Sequence, residues 1–208
     1  MPTILYRDGH IVVAVKPSGM LSEGEGKDCF PAVLKEELSL QNIYTVHRLD
    51  RETEGITVYA LTQGAAATLS SDIASGNWEK IYLALLWGRP EKTGDRLCDM
   101  LYYDRKKSKS FVVDRERNGV KKAILDYEVI SNPDEKRTAV RVKLQTGRTH
   151  QIRVQFASRG LPLCGDRRYG APKESGKTLA LCAAELRFKH PASKEEMRFS
   201  ISPTKFSI

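Results

Sequence analysis

Apolar positions along this chain fall into short blocks, mostly of strand length, separated by turn residues. Residues 10–15 (HIVVAV) read as a short alternating strand, which KPSG at 16–19 breaks with a turn signature. Residues 30–40 have helical spacing, with Leu34 and Leu38 on one side. An apolar run at 56–61 (ITVYAL) follows a loop of mixed charge. Residues 64–75, rich in Ala and Leu, predict a helix that stops at Gly76-Asn77. The run KIYLALLW at 80–87 predicts a buried strand, closed by Gly88-Arg89-Pro90.

Residues 95–118 read as a basic loop. Residues 123–130 and 138–144 alternate, as two strands joined by the turn Asn132-Pro133-Asp134 would. In 149–159 Ile152 and Phe156 lie four apart, which predicts a short helix ending at Gly160. Residues 179–188 and 197–201 supply two late strands. Strands dominate, and no regular βαβ alternation appears. The pattern predicts an α+β fold around a mixed or antiparallel sheet. With no repeat, low-complexity tract or long linker, one domain over 1–208 is expected.

Hydrophobic content of 40% and charged content of 29% are ordinary for a soluble globular chain. No apolar run approaches the roughly 20 residues that cross a bilayer. Residues 1–8 lack the basic-then-apolar layout of a secretory signal, so a cytoplasmic protein is expected. Cys29, Cys98, Cys164 and Cys182 form no CxxC pair, and the four histidines are scattered. Reduced thiols and no metal site follow.

The net charge of +8 and pI near 9.3 raise the expectation of a polyanionic partner. Basic residues cluster at 105–109, at Lys121-Lys122, and in Arg148, Arg153, Arg159, Arg167 and Arg168. The first cluster suits a solvated loop as well as it suits RNA. The arginines from Arg148 to Arg168 favour a polyanion.

Four segments carry candidate chemistry. HRLDRETEG at 47–55 sets Asp50 among basic and hydroxyl groups, and flanking positive charge favours the ionised form of a carboxylate. Tyr82 introduces a hydroxyl into an apolar strand. QTGRTHQIR spans 145–153, and LCGDRRYG spans 163–170. Singly, each has a plain structural reading: a turn anchor, a core tyrosine, a surface helix arginine, a turn.

Together, in this order and spacing, they resemble the RluA-type pseudouridine synthase family. The resemblance runs from the opening strand and KPSG to His190-Pro191 and Met197-Arg198-Phe199. HRLDRETEG looks like the family's catalytic motif, and TGRTHQIR and GDRRYG look like its later signatures. The resemblance implies an α/β catalytic domain with a long mixed, mainly antiparallel sheet and a cleft crossed by RNA. It implies isomerisation of uridine in tRNA or rRNA to pseudouridine, with no cofactor. No P-loop or GxGxxG turn is present.

By the same resemblance Asp50 is the essential aspartate, acting on C1′ as a nucleophile or on the 2′ proton as a base. Tyr82 stacks on uracil, and its hydroxyl assists at C5. Arg153 pairs with the catalytic aspartate, holding it charged and aimed. Arg48 enters the RNA stack and supports the flipped nucleotide. Further RNA contacts are expected at Arg51, Arg148, His150, Gln151, Arg167 and Arg168.

Three positions depart from the family pattern. Glu54 stands where serine is frequent, and Gln155 and Cys182 stand where histidine is frequent. The resemblance leaves no room for an extra N-terminal RNA-binding module, and a monomer suffices. The alternative is a non-catalytic RNA-binding or chaperone protein on the same fold, which would have no chemical need for Asp50, Tyr82 and Arg153. A hydrolase using Asp50 with His47 or His150 leaves the basic charge unexplained.

Overall fold

A computed structural model describes residues 1–202. The chain divides into two compact units, one built of Met1–Lys80 with Ala183–Ile201 and the other on Ile81–Cys182. In chain order the elements are β1 (Thr3–Arg7), β2 (Ile11–Lys16), α1 (Phe30–Glu37), β3 (Tyr44–Thr45), β4 (Glu54–Ala60) and α2 (Gln63–Ala74). Then come β5 (Glu79–Trp87), β6 (Gly94–Asp104), β7 (Lys109–Val112), β8 (Val120–Ser131) and β9 (Arg137–Leu144). The last are α3 (Gln151–Ala157), β10 (Leu181–Lys189) and β11 (Glu196–Ser200). The class is α+β, with strands in the majority.

In the first unit the strand order is β1-β2-β4-β10, with β3 added on β4 and β11 on β10. β2 is antiparallel to both β1 and β4. Its apolar run is continuous rather than alternating because both faces are covered. Ile11 and Val13 join Ile56, Val58, Leu69, Trp78 and Phe188 in one core cluster, on the side packed by α2. Val12 and Ala14 join Phe30, Leu34 and Tyr59 in another, on the side packed by α1. Each Val, Ile or Leu fully buried this way stabilises by about 1.5–3 kcal/mol.

Both helices form where the sequence predicts. Pro31 sits in the first turn of α1, where its missing N–H costs nothing. The Thr62 side chain accepts from the Ala65 N–H and caps α2.

In the second unit the order is β5-β9-β8-β6-β7, and β6–β7, β6–β8 and β8–β9 are antiparallel. α3 packs on one face, where Val154 and Ala157 meet Leu101, Val112 and Ala123. One expectation is overturned here: much of 95–118 is not loop but the hairpin β6–β7. Leu97 and Leu101 are buried, but Asp95 and Asp99 share their face while Cys98 and Met100 lie on the other, which hides the period of two. β1 also went unread, because Thr3–Arg7 is a short strand with little buried surface.

All four cysteines are free thiols; Cys29, Cys164 and Cys182 are buried and Cys98 is exposed. No helix among the described residues is long and apolar enough to cross a membrane.

Candidate active site

In the first unit, Asp50 sits in the loop that leads into β4; the KPSG segment holds the backbone after it and Ser22 the backbone before it. Lys16 ends β2 with no solvent exposure. Its ammonium donates to the carbonyls of Pro17 (2.9 Å), Met20 (2.8 Å) and Arg51 (3.2 Å). Burial pulls this ammonium down to about 8, against the opposing pull of the Asp50, Glu52 and Glu54 carboxylates. A buried cation therefore lies under an acidic loop.

Ser18 Oγ donates to the Glu52 carbonyl at 2.7 Å. Ser22 Oγ donates to the Leu49 carbonyl and accepts from the Leu49 N–H, both at 2.9 Å. Gly19 N–H donates to the Arg51 carbonyl, and Thr53 N–H to that of Asp50. The chain then enters β4 through Gly55, at φ +130°, where a Cβ would collide with the Ala183 backbone. Only glycine lets β4 pass this close to β10.

His47, at the head of the same motif, accepts from the Val58 N–H through Nε2 at 2.9 Å. Its ring lies edge-on to Trp78 at 5.1 Å. Burial, with the Lys80 charge adding, pushes its imidazole down to about 3. Its Nε2 lone pair is taken up by the Val58 N–H, so it serves as a structural acceptor and not as a base for hydrolysis. Arg48 is exposed and paired with Glu23 at 2.7 Å. Arg51 donates through Nε to the Gly19 carbonyl and through Nη2 to Asp28.

In the second unit, Arg153 lies on α3 with its side chain 3% exposed. Its Nε and Nη2 donate to the two oxygens of Asp166 at 2.7 and 2.9 Å, a two-pronged pair on a carboxylate itself 1% exposed. The guanidinium also lies 5.3 Å from the centre of the Tyr169 ring. Asp166 belongs to GDRRYG, and the residue before it must be glycine: Gly165 has φ +76° and its missing Cβ faces the Thr178 carbonyl. Sequence reasoning took this segment as a signature without assigning Asp166. A lone acid between a glycine and two arginines was the available signal.

Tyr169 accepts from the Ser110 N–H at 2.9 Å and bonds His150 Nδ1 at 2.9 Å. Burial pushes its hydroxyl up to about 12, so it stays protonated. His150 holds a left-handed conformation at φ +56°, costly for a residue with a Cβ, directly before α3. Tyr82 is on β5 and 8% exposed. Gln155, at a departure from the family pattern, is buried and donates to Asp99 at 2.7 Å.

Two of the expected RNA contacts are bonded to their own surroundings. Gln151 is buried; its amide donates to the Ile124 carbonyl and accepts from Thr146 Oγ1 and the Arg148 N–H. It stitches the TGRTHQ turn to β8. Arg167 donates to the carbonyls of Ala171, Lys173 and Gly176, so its fork holds the following loop. Arg148 and Arg168 are exposed; Arg148 donates to the Lys122 carbonyl and Arg168 to that of Ser108.

The comparisons with known proteins agree with the motifs. The family described as RNA pseudouridylate synthase matches residues 10–158. The chain is 36% identical to the dual-specificity RNA pseudouridine synthase RluA of Haemophilus ducreyi, over 96% of this chain and 92% of that one. It is 35% identical to the protein of the same description from Escherichia coli strain K12, over 94% and 90%. Among solved structures, human RNA pseudouridylate synthase domain containing 1 is similar in fold, with a TM-score of 0.81 at 22% identity over 98% of this chain and 84% of that one. Human RNA pseudouridylate synthase domain containing 4 gives a TM-score of 0.79 at 23% identity, over 98% and 90%.

Proposed function

The chain belongs to the RNA pseudouridylate synthase family, of the RluA type, and from that premise we propose how its own residues isomerise uridine in RNA to pseudouridine. Asp50 is the reacting carboxylate. It attacks C1′ as a nucleophile, displacing N1 and being displaced in turn by C5, or it takes the 2′ proton as N1 leaves and returns it as C5 adds to C1′; either way uracil turns and C5 then gives up its proton.

One observation carries the assignment. Leu49, Arg51 and Glu52 are each hydrogen-bonded through backbone groups to Lys16, Ser18, Gly19 or Ser22. The residue between them is thereby carried on a fixed backbone, the preorganisation that a reacting group needs. Tyr82 supplies a flat face for uracil and a hydroxyl for the C5 proton. Arg153 supplies a guanidinium whose plane Asp166 fixes.

The wording of the relatives' names supports RNA as the substrate, and we take the uridine to lie in structured tRNA or rRNA. A stacked uridine hides C1′, so the nucleotide is extruded into the site at a cost of a few kcal/mol, least in loops. Arg48, exposed beside Asp50, fills the gap left in the stack, its pair with Glu23 being weak enough to break. The protein acts as a monomer in the cytoplasm.

Tritium release from RNA labelled at uridine C5 tests this reading. Wild-type protein should release tritium from unmodified cellular RNA, and Asp50→Asn should abolish release while retaining the fold and most RNA binding. Turnover retained by Asp50→Asn removes Asp50 from the chemistry.

A further inference from the structure

The hairpin that replaces the expected basic loop presents a surface that the catalytic assignment does not use. Tyr102 on β6 is the direct partner of Phe111 on β7 and of Val120 on β8, and Met100 is the partner of Lys122. Partners in an antiparallel ladder project to one face, so both rings leave the sheet on the same side. α3 packs on the reverse face, against Leu101, Val112 and Ala123. Tyr102 and Phe111 are both left half-exposed, with Met100, Val113 and Val120 around them.

Each ring already carries cations. The Arg117 guanidinium lies 4.4 Å from the Tyr102 centroid. The Lys107 and Lys109 ammonium groups lie 5.6 and 5.7 Å from that of Phe111. From Arg105 to Lys122 there are eight basic residues against two acidic ones, so most of the chain's excess of +8 is gathered here. Arg148 and Arg168 tie this sheet to the TGRTHQIR and GDRRYG segments through the carbonyls of Lys122 and Ser108.

We propose that the outer face of β6, β7 and β8 is a second RNA-binding surface, on which unpaired bases stack on Tyr102 and Phe111 while the surrounding cations take the phosphates. An anionic protein or membrane would answer the charge alone. Paired rings at base-stacking size, rimmed by positive charge, answer the two faces of a single strand, aromatic bases and anionic backbone. A duplex hides its base faces and cannot use the rings. The surface thus holds a single-stranded flank of the substrate outside the site of reaction. The inference rests on the chain acting on RNA, and not on the role of Asp50.

The test uses a short fluorescent oligoadenylate, which contains no uridine for the catalytic site, a duplex of equal length, and inorganic polyphosphate. Wild-type protein should bind oligoadenylate more tightly than either of the others. Tyr102→Leu with Phe111→Leu keeps apolar bulk on the sheet and should weaken oligoadenylate binding by about tenfold or more. Duplex binding and single-turnover tritium release from a saturating minimal stem-loop should stay at the wild-type level. Lys107→Gln with Arg117→Gln should weaken all three ligands. Unchanged oligoadenylate binding in the ring variant, at wild-type melting temperature, overturns the proposal, as does equal wild-type affinity for polyphosphate. Absence of tritium release by wild-type protein would count against the catalytic reading while leaving the oligoadenylate result readable.

Discussion

Arg153 and Asp166 are nearly dry, so truncating the carboxylate breaks a buried, two-pronged pair. Asp166→Ala should cost about 3–5 kcal/mol of unfolding free energy in urea denaturation and take turnover with it. A loss under about 1 kcal/mol would mean that Arg153 finds solvent when its partner goes. His47 gives a prediction with a sign. Its ordinary value is 6.5 and burial holds it near 3 in the folded chain. Below about pH 6.5 the unfolded chain takes up a proton that the folded chain refuses, so stability is full above that value and is lost progressively toward pH 3. Unfolding measured across this window should fall more steeply for wild type than for His47→Gln; parallel profiles would show that the imidazole is protonated in the fold. Little of this was legible in the sequence. Asp50 and Arg153 stood out as motif residues, but Asp166, Lys16 and Tyr169 acquire their roles from partners far along the chain.

At the scale of elements, the apolar period located β2, β4, β5, β8, β9, β10, β11 and all three helices. It failed at the short strands β1 and β3, and at β6 and β7, whose outer faces carry the basic and aromatic residues that made 95–118 resemble a loop. Where both faces of a strand are buried, as in β2, a continuous apolar run appears; where one face is wet and charged, alternation must be read through the charge. The junction of the catalytic loop with β4 depends on Gly55 for a different reason, the approach of the Ala183 backbone. Gly55→Ala should cost about 3 kcal/mol or more, from steric overlap together with an unfavourable φ. A melting temperature within a degree or two of wild type would show that β4 and β10 can separate without penalty.

For the whole molecule, charge sets how RNA is met. An excess of +8 has its densest run between Arg105 and Lys122. Binding that neutralises about five phosphates should lose on the order of a hundredfold or more in affinity between about 50 and 200 mM salt. A flat salt profile would show that the basic residues are solvated and do not touch the backbone. The same charge read from composition pointed to a polyanion without saying where it would lie. Its distribution over a folded hairpin turns that general attraction into a surface with a chemical preference.

Order and spacing of motifs determined the family and the class of fold and singled out Asp50 as the proposed reacting carboxylate, because those are carried by residues close together in the chain or by local periodicity. Tertiary structure decided the rest. It gave Gln151 and Arg167 partners among nearby carbonyls and hydroxyls. Lys16, read as part of a turn, became the buried cation that ties down the Asp50 loop. The physical reason is that a side chain's role follows from which donors and acceptors folding brings within about 3 Å of it, and for Lys16 and Gln151 these include the Arg51 and Ile124 carbonyls, 35 and 27 residues away.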